Sequence, residues 1–162
     1  MDEARISAVQ RAAFGRIAEA SLVERLRSDG LIITSIVADL GPRIIGSVIF
    51  SKLLIFTVPE TMHAVALGPV AVHPNYQGRG VGTEIIRAGL DKCRELGYPA
   101  AIVLGDPGYY ERFGFSAEAS AGLCSRYAGP DWMALELIPG ALESVRGEVK
   151  YPPPFAMLDS AG

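Results

Sequence analysis

The run Val70-Ala71-Val72-His73-Pro74-Asn75-Tyr76-Gln77-Gly78-Arg79-Gly80-Val81-Gly82-Thr83 sets three glycines at alternate positions beside one arginine, directly ahead of a strongly helical pattern. Glycines at 78, 80 and 82 let the backbone turn tightly and approach a ligand closely. The start of a helix offers N–H groups without partners in the helix and the positive end of its dipole. Together these features make a cradle for an anion, above all a phosphate. Spacing separates the known cradles. A P-loop needs G-x-x-x-x-G-K followed by Ser or Thr, and no lysine stands in that place. A dinucleotide fingerprint needs G-x-G-x-x-G; counted from Gly78 it finds Gly80, then Thr83 where the third glycine belongs. The strand–turn–helix context keeps nucleotide binding as an alternative. A third pattern, Q/R-x-x-G-x-G/A, is met by Gln77, Gly80 and Gly82.

One expected strand later stands Gly105-Asp106-Pro107-Gly108-Tyr109-Tyr110-Glu111-Arg112-Phe113-Gly114-Phe115. Taken together, the two runs resemble the GNAT superfamily of N-acetyltransferases. The set GPVAV, QGRGVG and GDPGYYERFGF, with a late Gly147 to Tyr151 segment, is most similar to its YhbS-like branch. The resemblance is strongest from Leu67 to Phe115, thinner through Trp132 to Leu137, and loosest at both ends. In that superfamily a loop of the third pattern holds the pyrophosphate of acetyl-CoA. A strand matched here by Leu67 to Val72 pairs its exposed backbone with the pantetheine arm, and a tyrosine in Y-x-x-x-G-F protonates the departing thiolate. Carried over residue by residue, the resemblance implies a cofactor-binding set of Val70, Ala71, Val72, Gln77, Gly78, Arg79, Gly80, Val81, Gly82, Thr83 and Asp106, with Tyr110 as the catalytic acid. The chain departs from the pattern in starting almost within its first helix, where the family usually has a strand.

The activity so implied is transfer of an acetyl group from acetyl-CoA to a primary amine of a small-molecule or peptide acceptor, by direct attack and without a metal. Such a transfer needs a neutral amine, a stabilised oxyanion and a proton for the leaving thiolate. Backbone N–H groups around Val70 to Val72 suit the carbonyl, and a phenol near pKa ~10 is an adequate acid for a thiolate near ~8.5. The base has no obvious carrier. Val65 to Val72 contains no acid, and Glu60, His63 and His73 are candidates by proximity alone. That gap motivates the alternative of a non-catalytic acyl-CoA-binding or regulatory module. Several residues also have plain readings: Tyr109 as packing or pocket wall, His63 and His73 as surface or satisfied histidines, Asp106 as a helix N-cap. Arg79 reads as a loop charge that its place in the cradle turns toward phosphate. Arg87, Lys92 and Arg94 read as a solvated helix face, and Cys93 as core, which speaks against an acyl-cysteine route. The acceptor falls to the early helices and the loops near Leu53 to Met62 and Ala119 to Asp131; small amine, amino acid, antibiotic and protein N-terminus all stay open.

The elements that must position these residues follow from periodicity. Ile6 to Phe14 and Ser21 to Arg27 repeat apolar residues at helical spacing. Leu31 to Leu40, Arg43 to Ser51 and Leu53 to Val58 read as strands, with Gly41-Pro42 as a turn. His63 to Val72 is a strand interrupted by Gly68-Pro69, which marks an edge, a bulge or a place where pairing stops. The helix Gly80 to Leu96 places Val81, Ile85, Ile86, Leu90, Cys93 and Leu96 on one face, and Gly97 caps it. Ala100 to Leu104 is a buried strand that completes a right-handed βαβ unit. Asp106-Pro107 starts a short helix that Gly114 ends. Phe115 to Ala117 and Trp132 to Ile138 are the late strands. The fold class is α+β: a mixed, largely antiparallel central sheet flanked by helices, with a βαβ unit that binds acetyl-CoA.

Composition sets the frame. The chain has 162 residues, 49% of them hydrophobic and 20% charged, which suits one domain over residues 1–162 with a sizeable core. An extended tail is expected from about 151, because Pro152-Pro153-Pro154 fixes φ three times. Fifteen basic against eighteen acidic residues give a net charge of -3, no electrostatic footing for a nucleic acid. The acidic start and the absence of a long apolar run point to a cytoplasmic protein with no membrane partner. Cys93 and Cys124 lack the spacing of a metal site and read as reduced thiols. A homodimer is left open.

Overall fold

A computed structural model describes residues 17–58 and 60–155. The expected helix Ile6 to Phe14 lies outside the described residues. Helix α1 spans Ile17–Ser28, and the strands are β1 Ile32–Leu40, β2 Arg43–Phe56, β3 Met62–Val72, β4 Ala100–Leu104, β5 Leu123–Cys124, β6 Trp132–Glu136 and β7 Gly147–Lys150. Helix α2, Val81–Glu95, joins β3 to β4, and a single turn, α3 Pro107–Tyr110, follows β4. The sheet runs β5-β7-β2-β3-β4-β6, with β1 also on β2. The β1–β2, β2–β7 and β4–β6 pairs are antiparallel, whereas β3–β4 and β5–β7 are parallel. This is the mixed, largely antiparallel α+β sheet expected, with β3, α2 and β4 as its βαβ unit.

The strands β2 and β3 pass through two compact units. One comprises described residues 17–51, 68–89 and 152–155; it holds α1, β1, the first part of β2, the end of β3 and the first half of α2. Its core includes Leu22, Val23 and Leu26 of α1, Val48, Ile49 and Phe50 of β2, and Ile85 and Ile86 of α2. The other comprises residues 52–67 and 90–151 and is centred on β4, whose Ala100 to Val103 are fully enclosed with Trp132, Met133 and Ala134 of β6.

Helix α2 ends as its sequence directs. Gly97 adopts φ +87°, its N–H donates to Arg94 O (3.0 Å), and the Tyr98 N–H donates to Cys93 O (3.1 Å), the pair of bonds of a Schellman cap. Leu96, counted with the apolar face, falls past the helix end and is half exposed, so the stripe stops at Cys93.

Three expectations need correcting, and one strand had no signal in the sequence. Arg43 to Ser51 and Leu53 to Val58 form one strand, because Lys52 is merely the exposed member of an alternation in which Ser51 and Leu53 are buried. Phe115 to Ala117 is no strand. Ser116 makes a single bridge to Ala134, after which the chain turns away, with the Ser116 Oγ accepting from the Ala119 N–H. Strand β7 went unread as a strand, because only Val149 of its four residues is buried and its glutamate and lysine mimic a loop. The proline run is not extended throughout: Pro153–Phe155 forms a 3₁₀ turn packed on α1, with Pro154 and Phe155 buried. Proline fixes φ at a value shared by extended chain and 3₁₀ helix, so ψ decides between them.

Candidate functional site

In the first unit, the end of β3, the loop 73–80 and the start of α2 form a tied-down structure. The His73 N–H donates to Ile45 O on β2 (2.7 Å), and the His73 Nδ1 accepts from the Asn75 N–H (3.2 Å), capping the 3₁₀ turn Pro74–Tyr76. Gln77 Nε2 donates to Val72 O (2.9 Å), so the first letter of the glycine motif clamps the loop to the strand it leaves. The Arg79 guanidinium stands 5.6 Å from the centre of the Tyr76 ring, which in turn meets the His73 ring edge-on at 5.8 Å.

Gly78 and Gly80 adopt φ +77° and +82°, left-handed values that cost other residues about 1–2 kcal/mol, and neither faces any atom within 4 Å of a Cβ position. The ladder of α2 opens with the Glu84 N–H donating to Gly80 O (3.1 Å), so the amides of Gly80, Val81 and Gly82 precede it and are not consumed by it. Open space, a helix start and amides not spent on the helix match the requirements of a pyrophosphate. Helix α2 approaches β2 closely here because Gly46 has no side chain: a Cβ there would lie 2.9 Å from Val81 Cγ1. Sequence reading passed over Gly46, although a glycine inside a β-branched strand is the usual mark of close approach.

In the second unit, α3 and the 3₁₀ turn Glu111–Phe113 carry the aromatic motif. Asp106 caps α3: its Oδ1 accepts from the Gly108 N–H (3.0 Å), which commits the carboxylate locally. The half-buried Tyr110 ring packs edge-on against Tyr109 (5.0 Å) and Phe115 (6.0 Å), with Phe113 at 6.1 Å. Burial, helped by Tyr109, pushes its phenol up to about 12. Arg112 stacks 4.3 Å above Tyr109 and donates from Nε to that residue's carbonyl (2.8 Å), which makes Tyr109 a braced wall.

The base candidates separate by geometry. Glu60 and His63 are exposed. His73 Nδ1 accepts the Asn75 N–H, which engages that nitrogen in capping the loop. Cys93 is fully buried, and burial pushes its thiol up to about 11, against a nucleophilic role. Among the described residues no group of three or more His, Cys, Asp or Glu is placed to hold a metal ion, and no helix is long and apolar enough to cross a membrane.

A parallel strand pair spanned by a helix that begins on a glycine-turned loop, set in a mixed, largely antiparallel sheet, is the architecture of the GNAT fold. The chain belongs to the Acetyltransferase (GNAT) domain family, which matches residues 2–117. It is closely related to the uncharacterized N-acetyltransferase YhbS of Escherichia coli K12: 37% identical over 154 residues, 93% of this chain and 91% of that protein. The crystal structure of Escherichia coli YhbS in complex with CoA superposes with a TM-score of 0.86 at 35% identity, covering 96% of this chain and 87% of that one. A GNAT family acetyltransferase from Brucella melitensis in complex with acetyl-CoA gives a TM-score of 0.79 at 33% identity, covering 95% and 92%.

Proposed function

We propose that this acetyltransferase moves the acetyl group of acetyl-CoA to a primary amine by direct attack, working as one N-acetyltransferase domain over residues 1–162 in the cytoplasm. In this reading the amides of Gly78 to Thr83, with Arg79, hold the pyrophosphate, and the backbone of Val70 to Val72 holds the pantetheine arm and the thioester carbonyl. Tyr110 gives its proton to the thiolate, and Asp106 fixes the turn that carries Tyr110. The observation that carries the reading is the start of α2: left-handed glycines, room beside them, and amides that precede the Glu84–Gly80 bond. The CoA and acetyl-CoA bound by the two similar structures support it.

Acetyl-CoA supplies an activated acyl carbon. The amine nitrogen forms the new bond to that carbon as the carbon–sulfur bond breaks; the amine sheds a proton to water, and the sulfur takes one from Tyr110, which solvent restores. A phenol held at about 12 keeps its proton at neutral pH. The desolvation that raises it also raises a thiolate leaving beside it, which keeps donor and acceptor matched.

The test is thermal unfolding with CoA, acetyl-CoA, NAD and ATP in parallel, followed by CoA release against a panel of amines. A ligand at 100 times its Kd adds about 2.7 kcal/mol, a rise of about 5–10 °C for a chain this size. Stabilisation by CoA and acetyl-CoA alone, with turnover that falls about 100-fold in Tyr110→Phe, is the expected result. No stabilisation by saturating acetyl-CoA removes the reading. Stabilisation without turnover on any amine makes the chain an acyl-CoA-binding module, and a response to NAD or ATP instead makes it a nucleotide-binding protein.

A further inference from the structure

Tyr110 is hemmed in on several sides by aromatic rings, and its ring also lies beside a glycine. A Cβ at Gly105 would lie 2.5 Å from Tyr110 Cε2, 3.0 Å from Cδ2 and 3.5 Å from Cζ. Neither partner has slack. Gly105 is anchored by its N–H, which donates to Asp131 O (2.9 Å), and by its neighbour Leu104, which pairs with Trp132. The backbone of Tyr110 is tied back to the same stretch, since the N–H groups of Tyr109 and Tyr110 both donate to Asp106 O (3.0 Å each). The ring is bounded by Tyr109, Phe113 and Phe115.

We propose that Gly105 is a positioning residue for Tyr110: its missing side chain leaves the flat surface against which the phenol ring lies, and so sets where the hydroxyl points. The proposal rests on the reading of Tyr110 as the proton donor. Ordinary carbon contacts lie at about 3.5–4.0 Å, so a methyl at position 105 displaces the hydroxyl-bearing edge of the ring by about 1 Å. A misplacement of that size in a reacting group costs up to about 100-fold in rate.

The experiment compares the parent, Gly105→Ala, Tyr110→Phe and the double variant. Turnover is read as CoA release from acetyl-CoA with hydroxylamine, an amine nucleophile that is unprotonated at neutral pH. The position of the ring is read separately, as the ring carbon resonances of Tyr110 in protein labelled with ¹³C-tyrosine and assigned through Tyr110→Phe. Gly105→Ala is expected to lower kcat about 10- to 100-fold with little change in the KM for acetyl-CoA, and to shift the Tyr110 resonances. In the Tyr110→Phe background the same substitution is expected to change kcat by no more than about twofold, because it acts through a hydroxyl already removed. Equal losses in both backgrounds mean a general structural effect and overturn the proposal, as does full kcat in Gly105→Ala beside a loss in Tyr110→Phe. Full kcat in Tyr110→Phe overturns instead the donor reading on which the proposal stands. Should hydroxylamine give no turnover, unmoved Tyr110 resonances in Gly105→Ala still refute the positioning, and moved ones support it.

Discussion

Replacing Gly89 by alanine sets two effects of opposite sign against each other in one helix. Gly89 lies inside α2, where glycine costs about 0.5–1 kcal/mol relative to alanine, so propensity alone predicts a gain in stability. Packing predicts the reverse. A Cβ at position 89 would lie 2.0 Å from Cε2, 2.5 Å from Cζ and 2.8 Å from Cδ2 of Phe50, a ring that is wholly enclosed. With ordinary contacts at about 3.5–4.0 Å, the ring has to retreat by about 1.5–2 Å into packed surroundings. Overpacking of a core costs about 1–3 kcal/mol, and a clash with three atoms of an enclosed ring belongs at the upper end.

The net expectation is a loss of about 2 kcal/mol, or a fall in Tm of about 4–8 °C. Thermal and urea unfolding of Gly89→Ala measure it. Phe50→Leu supplies the control: by itself it leaves a void, but combined with Gly89→Ala it accepts the methyl, so the double variant loses less than the sum of the singles. A Tm for Gly89→Ala at or above that of the parent would refute the argument, since it would mean that the ring yields at no cost and propensity decides.

Two further outcomes follow from single atoms. The Ser51 Oγ is buried without a hydrogen-bond partner, so Ser51→Ala is expected to raise stability by about 1 kcal/mol in denaturant unfolding; a loss would mean that the hydroxyl is satisfied through an internal water. Burial pushes the Tyr110 phenol up to about 12 from 10.0, and an acid catalyst works only in its protonated form. The pH profile of kcat is therefore expected to show no descending limb centred near 10; a limb there that vanishes in Tyr110→Phe would contradict the buried donor.

Much of this fold was legible because its signals are local. The stripe Val81, Ile85, Ile86, Leu90 and Cys93, the Gly97 cap and the Asp106-Pro107 start act within a few residues of themselves, and each lies where its pattern placed it. What escaped depends on partners distant in sequence. Strand β7 exists because Leu54 to Phe56 and Leu123 to Cys124 offer it backbone partners, not because Gly-Glu-Val-Lys favours extension. The turn Pro153–Phe155 is likewise selected by burial against α1, since proline leaves its ψ undecided.

The glycines divide along the same line. Gly78 and Gly80 are legible in a motif because a positive φ is a property of the residue itself, whereas Gly46, Gly89 and Gly105 acquire their meaning only from Val81, Phe50 and Tyr110 across a gap of many residues or a turn. Gln77 belongs between the two kinds. Its place in the motif points to a ligand contact, yet its amide holds the Val72 carbonyl, just as the His73 N–H holds Ile45 O. The clamps and the glycines together fix a loop geometry in which backbone amides stand in ready-made order at a helix start. A cradle built of amides makes its contacts with groups that every residue carries, and the side chains of the motif are then free to hold the loop in place. On the acetyl-CoA-binding reading proposed above, pre-ordering of this kind places the donors before the pyrophosphate arrives, so the binding energy is not diverted into ordering the loop.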